Sequence, residues 1–189
     1  MAARLFAGMV VTIGVMASAS AMAQVDIHGM SGGPLAMFGL GASPIPRTTV
    51  YFSSKEAPGT IIVNTRERRL YYVLPDGQAI RYGIGVGRVG FTWAGVTRVS
   101  VKREWPDWTP PPQMLRRRPG LPRYMKGGIQ NPLGARAIYL GATLYRIHGS
   151  NEPETIGQAV SSGCFRMTND DVIDLYQRTS IGTRVVVLR

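Results

Sequence analysis

The sequence predicts a mainly β, β-sandwich-like domain, and three observations favour that fold class. Short runs of β-branched and aromatic residues recur along the chain, turn residues separate them, and one segment alone is typical of a helix. The chain has 189 residues, of which 44% are apolar, enough for one core, and its 23 Gly and 13 Pro indicate many turns. Many strands with one helix argue against an α/β sheet.

The first 23 residues have the layout of a cleavable signal peptide. Arg4 precedes a mostly apolar stretch from Leu5 to Met16, and small residues then lead to the cleavage pattern Ala21-Met22-Ala23. The apolar stretch is shorter than the ~20 residues that span a bilayer. We therefore expect a periplasmic or secreted protein without a transmembrane segment, an N-terminal amphipathic or core helix being the alternative.

Residues 24–58 are interpreted as a flexible arm with a lead-in strand, and residues 59–189 as the main domain. From Gln24 to about Pro46 the chain is rich in Gly, Met, Ser and Pro and lacks apolar periodicity. Such a composition is typical of a tether or a loosely docked arm. His28 lies in this arm, where we expect a solvated residue and not a ligand.

Eight segments have the composition of strands, and a hairpin turn joins two of them. The turn is Pro75-Asp76-Gly77, in which Pro presets φ and Gly accepts a positive φ. The predicted strands are Thr49 to Phe52, Thr60 to Asn64, Leu70 to Leu74, Ala79 to Val86, Val96 to Lys102, Ala137 to Leu140, Leu144 to His148 and Thr183 to Leu188.

The predicted helix follows Thr168. Thr168 and Asp171 stand at capping-box spacing, and the apolar face that follows contains Val172, Ile173, Leu175 and Tyr176. We expect the helix to end near Gly182.

A glycine pattern in the chain resembles a nucleotide-binding turn but lacks its context. Gly85 to Gly90 matches G-x-G-x-x-G after a strand, yet the residues from Phe91 to Gly95 do not open a helix. The acidic residue expected about 20 positions later is also missing. The pattern therefore indicates a Gly-rich turn before the next strand.

Positive charge concentrates between Arg98 and Lys126. The formal net charge is +11, or +10 without Arg4, and this stretch contributes eight basic and two acidic residues. Trp105, Trp108 and a Pro run are interleaved with them. Three interpretations stay open: a solvated loop, a nucleic-acid patch, or a stiff loop over a groove that handles an anionic polymer. Because an exported protein rarely meets nucleic acid as substrate, we consider the cell wall or a membrane surface.

Composition excludes several kinds of site. One Cys cannot form an internal disulfide or a Cys-rich metal centre, and two His residues cannot supply an all-imidazole one. We therefore expect no metal and no cofactor.

The residues with catalytic potential are His148 and Cys164, which are 16 positions apart. A thiol needs a base because it is mostly protonated at neutral pH, and His can take that proton and return it to a leaving amine. Gly163 would let a substrate approach the sulfur and would free backbone N–H groups for an oxyanion. The alternative is a buried structural Cys and a strand-end His.

These residues resemble the L,D-transpeptidase catalytic domains of bacterial cell-wall enzymes. The family pattern is His-Gly, a loop, then Ser-x-Gly-Cys-x-Arg or Asn, and His148-Gly149 and Ser161 to Arg166 fit it in order and spacing. Many members have His where this chain has Ser162. The segments Gly59 to Val63 and Asn131 to Arg136 also resemble the family, so the likeness covers roughly Gly59 to Arg189.

The resemblance implies a mainly β fold and acyl transfer on peptidoglycan stem peptides. Cys164 would attack the carbonyl of the third stem residue, a diaminopimelate, and release D-alanine, with His148 as the base. Gly149 would orient the His through its carbonyl, with Ser150 behind it. Gly163 and Ser162 would line the oxyanion and substrate site. Arg166 would either bind a substrate carboxylate or pair with Asp170 or Asp171.

Three functions follow as hypotheses. The first is a transpeptidase that cross-links stem peptides or attaches the wall to a Lys amine of an outer-membrane protein or lipoprotein. The second is a hydrolase on the same scaffold, such as an L,D-carboxypeptidase or an amidase. The third is a non-catalytic cationic module that binds the wall. The nucleophile motif argues against the third, and no sequence feature separates the first two.

Overall fold

The computed structural model describes residues 43–189, and the predicted signal peptide and residues 24–42 of the arm lie outside the described residues. The strands are β1 (Thr48–Tyr51), β2 (Ile61–Asn64), β3 (Arg69–Val73), β4 (Gln78–Gly83), β5 (Val86–Gly87), β6 (Gly95–Glu104), β7 (Arg136–Leu140), β8 (Arg146–His148), β9 (Ala159–Ser161), β10 (Phe165–Arg166) and β11 (Arg184–Leu188). The helices are α1 (Pro112–Arg117) and α2 (Asn169–Arg178). A 3₁₀ turn spans Pro153–Thr155.

Nine strands form one bent sheet in the order β1-β4-β3-β2-β11-β6-β7-β8-β10, and β5 and β9 form a small second sheet. Strand β6 makes the bend: its first half pairs with β11 and its second half with β7, with a register shift between Val99 and Val101. A long strand that changes partners at an irregularity forms the corner of a sandwich. The fold is therefore mainly β, as the sequence predicts.

The core lies between the two halves of this sheet and extends beneath α2. Strand β8 contributes Ile147 to this core, and β10 contributes Phe165. Helix α2 adds Val172 and Leu175 from its inner face and packs on β7 and β8. Strands β8 and β10, which flank the predicted residues His148 and Cys164, are thus packed against an apolar layer.

Several sequence predictions are confirmed at this level. Each of the eight predicted segments overlaps a strand, and Asp76 and Gly77 of the predicted hairpin turn both have positive φ, at 58° and 68°. Thr168 caps α2, since its side-chain oxygen accepts from the Asp171 N–H at 3.3 Å.

Other predictions need correction. The helix ends at Arg178, not near Gly182, and the strand predicted through Val86 stops at Gly83. The sequence predicts one helix, but the structure has a second, α1. This helix has six residues, none of which is buried, so the sequence carries no apolar face by which it could be predicted. The short strands β9 and β10 were also not predicted.

The glycine pattern from Gly85 to Gly90 has a packing role. Gly85 exchanges two backbone hydrogen bonds of 2.9 Å with Arg166, and a Cβ at Gly87 would lie 3.1 Å from Gly163 Cα. The next element after Gly90 is the strand β6. Gly is therefore needed here for close approach of backbones, not for a phosphate.

The described part of the arm is docked on the domain. Strand β1 pairs antiparallel with β4, and Ile45 lies so close to Gly83 that a Cβ there would be 2.6 Å from the isoleucine side chain. Arg47 also approaches the Asp171 carboxylate at 3.6 Å. Within residues 43–189, no helix is long and apolar enough to cross a membrane.

Candidate active site

The pairing of β8 with β10 brings the predicted nucleophile and base onto one surface. The strands are parallel, with Phe165 opposite Ile147 and Arg166 opposite His148. Because Phe165 and Ile147 point into the core, Cys164 and His148 point to the opposite face. Residues two apart on neighbouring strands have Cβ atoms roughly 7–8 Å apart, within reach of an imidazole ring.

His148 is held in one orientation by its own neighbour. The side chain is buried, and its Nδ1 lies 2.6 Å from the carbonyl oxygen of Gly149. A carbonyl can only accept, so Nδ1 carries the proton and donates it to this bond. Nε2 is then left with a lone pair, which is the arrangement that a general base requires.

Burial keeps both groups neutral at rest. It lowers the pKa of the His148 imidazole to about 3, and the charges of Arg166 and Arg146 act in the same direction. Burial also raises the pKa of the Cys164 thiol, while the charge of Arg146 opposes this rise. The resting site therefore holds a thiol and a neutral imidazole, and the thiol donates to the Leu144 carbonyl at 3.7 Å.

The turn that carries Cys164 is closed by a serine and an indole. Ser161 Oγ donates to the Cys164 carbonyl at 2.6 Å and accepts from the Gly163 N–H at 3.1 Å. Trp93 Nε1 donates to the Gly163 carbonyl at 3.2 Å. Gly163 has φ of 108°, a conformation that side chains rarely adopt, which explains the glycine.

These bonds decide which amide can face an oxyanion. The Gly163 N–H is occupied by Ser161 Oγ, so Gly163 contributes conformation and not a free donor. Within residues 43–189, the Cys164 N–H has no acceptor. It is therefore available to a developing negative charge beside the sulfur.

Arg166 has an ionic partner that differs from the ones we expected. Its Nη1 donates to Glu152 Oε2 at 2.7 Å, whereas Asp171 has Arg47 as its ionic partner. The pair ties the loop after His148 to the strand after Cys164. Arg166 thus has its charge satisfied within the domain, on the same face as the two reacting groups.

Asn169 is a site residue that the sequence reading missed. It is the first residue of α2 and is buried, and its Oδ1 accepts from the Ala135 N–H at 2.8 Å. The same oxygen fills the space in which a Cβ of Gly149 would stand. Asn169 therefore fixes the position of the Gly149 backbone, whose carbonyl orients His148. Ser150, the next residue along the chain, accepts a hydrogen bond at its Oγ from the Glu152 N–H at 3.0 Å.

The predicted basic loop divides into structural and surface charges. Lys102 lies in β6 and donates to the carbonyls of Tyr176 and Thr179 at the end of α2. Arg117, at the end of α1, reaches the catalytic turn, where its Nη2 donates to Ser162 Oγ at 3.2 Å. Asn131 holds together the two ends of the loop formed by residues 105–127. Its Nδ2 donates to the carbonyls of Pro106, Met125 and Lys126 at 3.1–3.2 Å.

Within the part of the chain that the structure describes, no cluster of three or more His, Cys, Asp and Glu side chains could hold a metal ion.

Arg146 is a second residue near Cys164 that the sequence analysis did not identify. The sequence holds a signal for it, because Arg146 lies two residues before His148 on the same strand, and residues two apart on a strand point to the same face of the sheet.

Acid should destabilise the fold through His148. Its pKa of about 3 lies below the ordinary 6.5, so the unfolded chain binds more protons between these values, and stability falls as the pH falls through this window. Relative to the His148→Gln variant, the wild type should lose up to about 1.4 kcal/mol per pH unit in urea unfolding from pH 6 to pH 4.

Asp171 provides the control with the opposite sign. Burial raises its pKa from 3.8 to about 6, so the folded state binds more protons between these values and gains stability on acidification. The Asp171→Asn variant should therefore lose stability more steeply than the wild type over the same range. Equal pH slopes for the wild type and His148→Gln would contradict the buried neutral imidazole.

Comparisons with known proteins agree with the site. A family model described as the L,D-transpeptidase catalytic domain, YkuD, matches residues 58–187. The probable L,D-transpeptidase ErfK/SrfK of Escherichia coli K12 is 42% identical over 137 residues, which are 68% of this chain and 43% of that protein. This chain thus spans less than half the length of that relative.

Solved structures show the same fold. The catalytic domain of an Enterococcus faecium L,D-transpeptidase is 22% identical, with a TM-score of 0.55 over 71% of this chain and 100% of that one. A Brucella melitensis chain described as a probable carnitine operon oxidoreductase caia is 46% identical, with a TM-score of 0.51 over 75% of this chain and 92% of that one. With the family model matched over most of the chain, this protein belongs to the L,D-transpeptidase catalytic domain family.

Proposed function

We propose that this chain is a cysteine-dependent L,D-transpeptidase that acts on peptidoglycan stem peptides in the periplasm or outside the cell. The observation that carries the proposal is the shared face of Cys164 and His148, with Nδ1 fixed by the Gly149 carbonyl. Family membership and the relatives named as L,D-transpeptidases support the substrate class.

The reaction follows from the protonation states. His148 Nε2 takes the thiol proton as sulfur attacks the carbonyl carbon of the third stem residue, and the Cys164 N–H stabilises the oxyanion. The bond to D-alanine then breaks, and the imidazolium protonates the leaving amine. An acceptor amine attacks the thioester, His148 takes its proton, and the thiol is regenerated.

The Brucella melitensis chain is described as an oxidoreductase, but the glycine pattern of this chain does not form a dinucleotide-binding turn. The Gly85 to Gly90 pattern leads into β6 and not into a helix, so it lacks the helix N-terminus that binds a dinucleotide pyrophosphate.

Tetrapeptide muropeptides incubated with the protein test the proposal. We expect free D-alanine and cross-linked dimers, detected by mass spectrometry, or a peptide-modified Lys when an outer-membrane lipoprotein is the acceptor. Shortened stems without dimers would identify a hydrolase instead. Binding to sacculi without any product would identify a cationic wall-binding module and overturn the enzyme assignment.

A further inference from the structure

We propose that Arg146 binds a carboxylate of the donor stem peptide beside Cys164 and is a specificity-determining residue of this site. The inference rests on the proposed function and assigns to Arg146 the role that the sequence pattern suggested for Arg166.

Register places Arg146 next to the nucleophile. Arg166 pairs with His148 and Phe165 with Ile147, so Cys164 is level with Arg146 on the neighbouring strand. Arg146 also lies opposite Tyr139 of β7, and its guanidinium stands 5.0 Å from the centre of that ring. The half-buried side chains of Tyr139, Arg146 and Cys164 therefore form a row across the face of β7, β8 and β10 that is turned away from the core.

The charge of Arg146 is not neutralised by a carboxylate of the described chain. Across residues 43–189, Arg146 takes part in no ion pair, whereas the arginines that do are Arg47, Arg136, Arg166, Arg178 and Arg184. Its Nε is buried and has no hydrogen-bond partner within the same residues. The Arg146 side chain also hydrogen-bonds with Cys164 and opposes the rise in the pKa of its thiol. A half-buried guanidinium beside a nucleophile, with no carboxylate partner among residues 43–189, is suited to an anionic group of the substrate.

The stem peptide supplies that group in two places. One is the terminal carboxylate of the D-alanine that leaves, and the other is the side-chain carboxylate of a diamino diacid at the third position. Each carboxylate presents two oxygens that can accept the paired N–H donors of the planar guanidinium group. The contact with the Tyr139 ring restricts the orientation of that group. Arg166 is less suited to bind a substrate carboxylate, because its Nη1 already forms an ion pair with Glu152 Oε2 at 2.7 Å.

Kinetics with modified donors distinguish the two carboxylates. The donors are the native tetrapeptide, the same peptide with a C-terminal amide, and the same peptide with its third-residue side-chain carboxylate amidated. For Arg146→Gln we expect KM on the native donor to rise about 10- to 100-fold. A fall in kcat on all three donors should accompany it, because Arg146 also opposes the rise in the pKa of the Cys164 thiol. The rise in KM should vanish on the one donor that lacks the bound carboxylate.

Two further variants sharpen the comparison. Arg146→Lys keeps the charge but loses the fork, so its KM should lie between those of the wild type and Arg146→Gln. Arg66→Gln removes the same charge from the exposed turn between β2 and β3 and should leave KM unchanged. An equal rise in KM for Arg146→Gln on all three donors, or no rise on any, would overturn the proposal.

Alkylation of Cys164 tests carboxylate binding without any stem peptide. Iodoacetate carries a carboxylate and iodoacetamide does not, while a change in thiol pKa affects both reagents alike. We expect the ratio of their rates to fall about tenfold in Arg146→Gln relative to the wild type and Arg66→Gln. An unchanged ratio would overturn the proposal even if the protein is a transpeptidase. A changed ratio would support carboxylate binding by Arg146 beside Cys164, and the donor kinetics then test whether that carboxylate belongs to the stem peptide.

Discussion

Cys164→Ala is expected to lower the rate of D-alanine release by at least about 10³-fold, because no other side chain can form the thioester. The thiol is the chain's only one and shares its face with His148. Cys164→Ser should be nearly as inactive, because a hydroxyl is a much weaker acid than a thiol and His148 is oriented by the Gly149 carbonyl and not by a carboxylate. D-alanine release from tetrapeptide is the measurement.

Folding must be intact for this result to be informative. Cys164 is half-buried, and its sulfur makes weak hydrogen bonds to the Leu144 carbonyl and with Arg146, so its removal should change the unfolding midpoint little. Thermal unfolding of both variants checks this point. A folded Cys164→Ala protein that still releases D-alanine would contradict the nucleophile assignment.

Gly149→Ala should have the second largest effect, on both kcat and stability. A Cβ at Gly149 would collide with Asn169 Oδ1 and stand 3.1 Å from the Ala135 nitrogen. Either the asparagine or the Gly149 carbonyl must move, and that carbonyl orients the His148 ring at 2.6 Å. We expect kcat to fall about 10²-fold and the free energy of unfolding to fall by about 1–3 kcal/mol.

A double-mutant cycle separates the collision from other effects. Asn169→Ala removes the colliding oxygen at the cost of the Ala135 hydrogen bond, so adding Gly149→Ala to it should cost far less than adding it to the wild type. Gly120→Ala is the matched control, because nothing lies within 4 Å of a Cβ at that position. Additive losses in the cycle would contradict the proposed role of Asn169.

The strands and the capped helix could be predicted because their signals are local. Thr168 stands three residues before Asp171, and Asp76-Gly77 meets the conformational demand of a tight turn wherever it occurs. Short runs of β-branched and aromatic residues then indicate the strands without knowledge of their partners. The His-Gly and Ser-x-Gly-Cys motifs are equally local, which is why they identify the family.

The remaining site residues depend on register, which a single sequence does not specify. Arg146 and Asn169 matter because β8 pairs with β10 in one alignment and α2 begins against the Ala135 backbone. Glu152 becomes the partner of Arg166 for the same reason. Helix α1 escaped prediction because it buries no residue and therefore carries no apolar periodicity.

The central claim is that Cys164 carries the stem peptide as a thioester. Intact-protein mass spectrometry after brief mixing with tetrapeptide, without an acceptor, tests it most directly. We predict one adduct with the mass of the tetrapeptide minus D-alanine, mapped to Cys164, released by hydroxylamine and lacking in Cys164→Ala. Release of D-alanine with no adduct on Cys164, or an adduct of the same mass in Cys164→Ala, would contradict it.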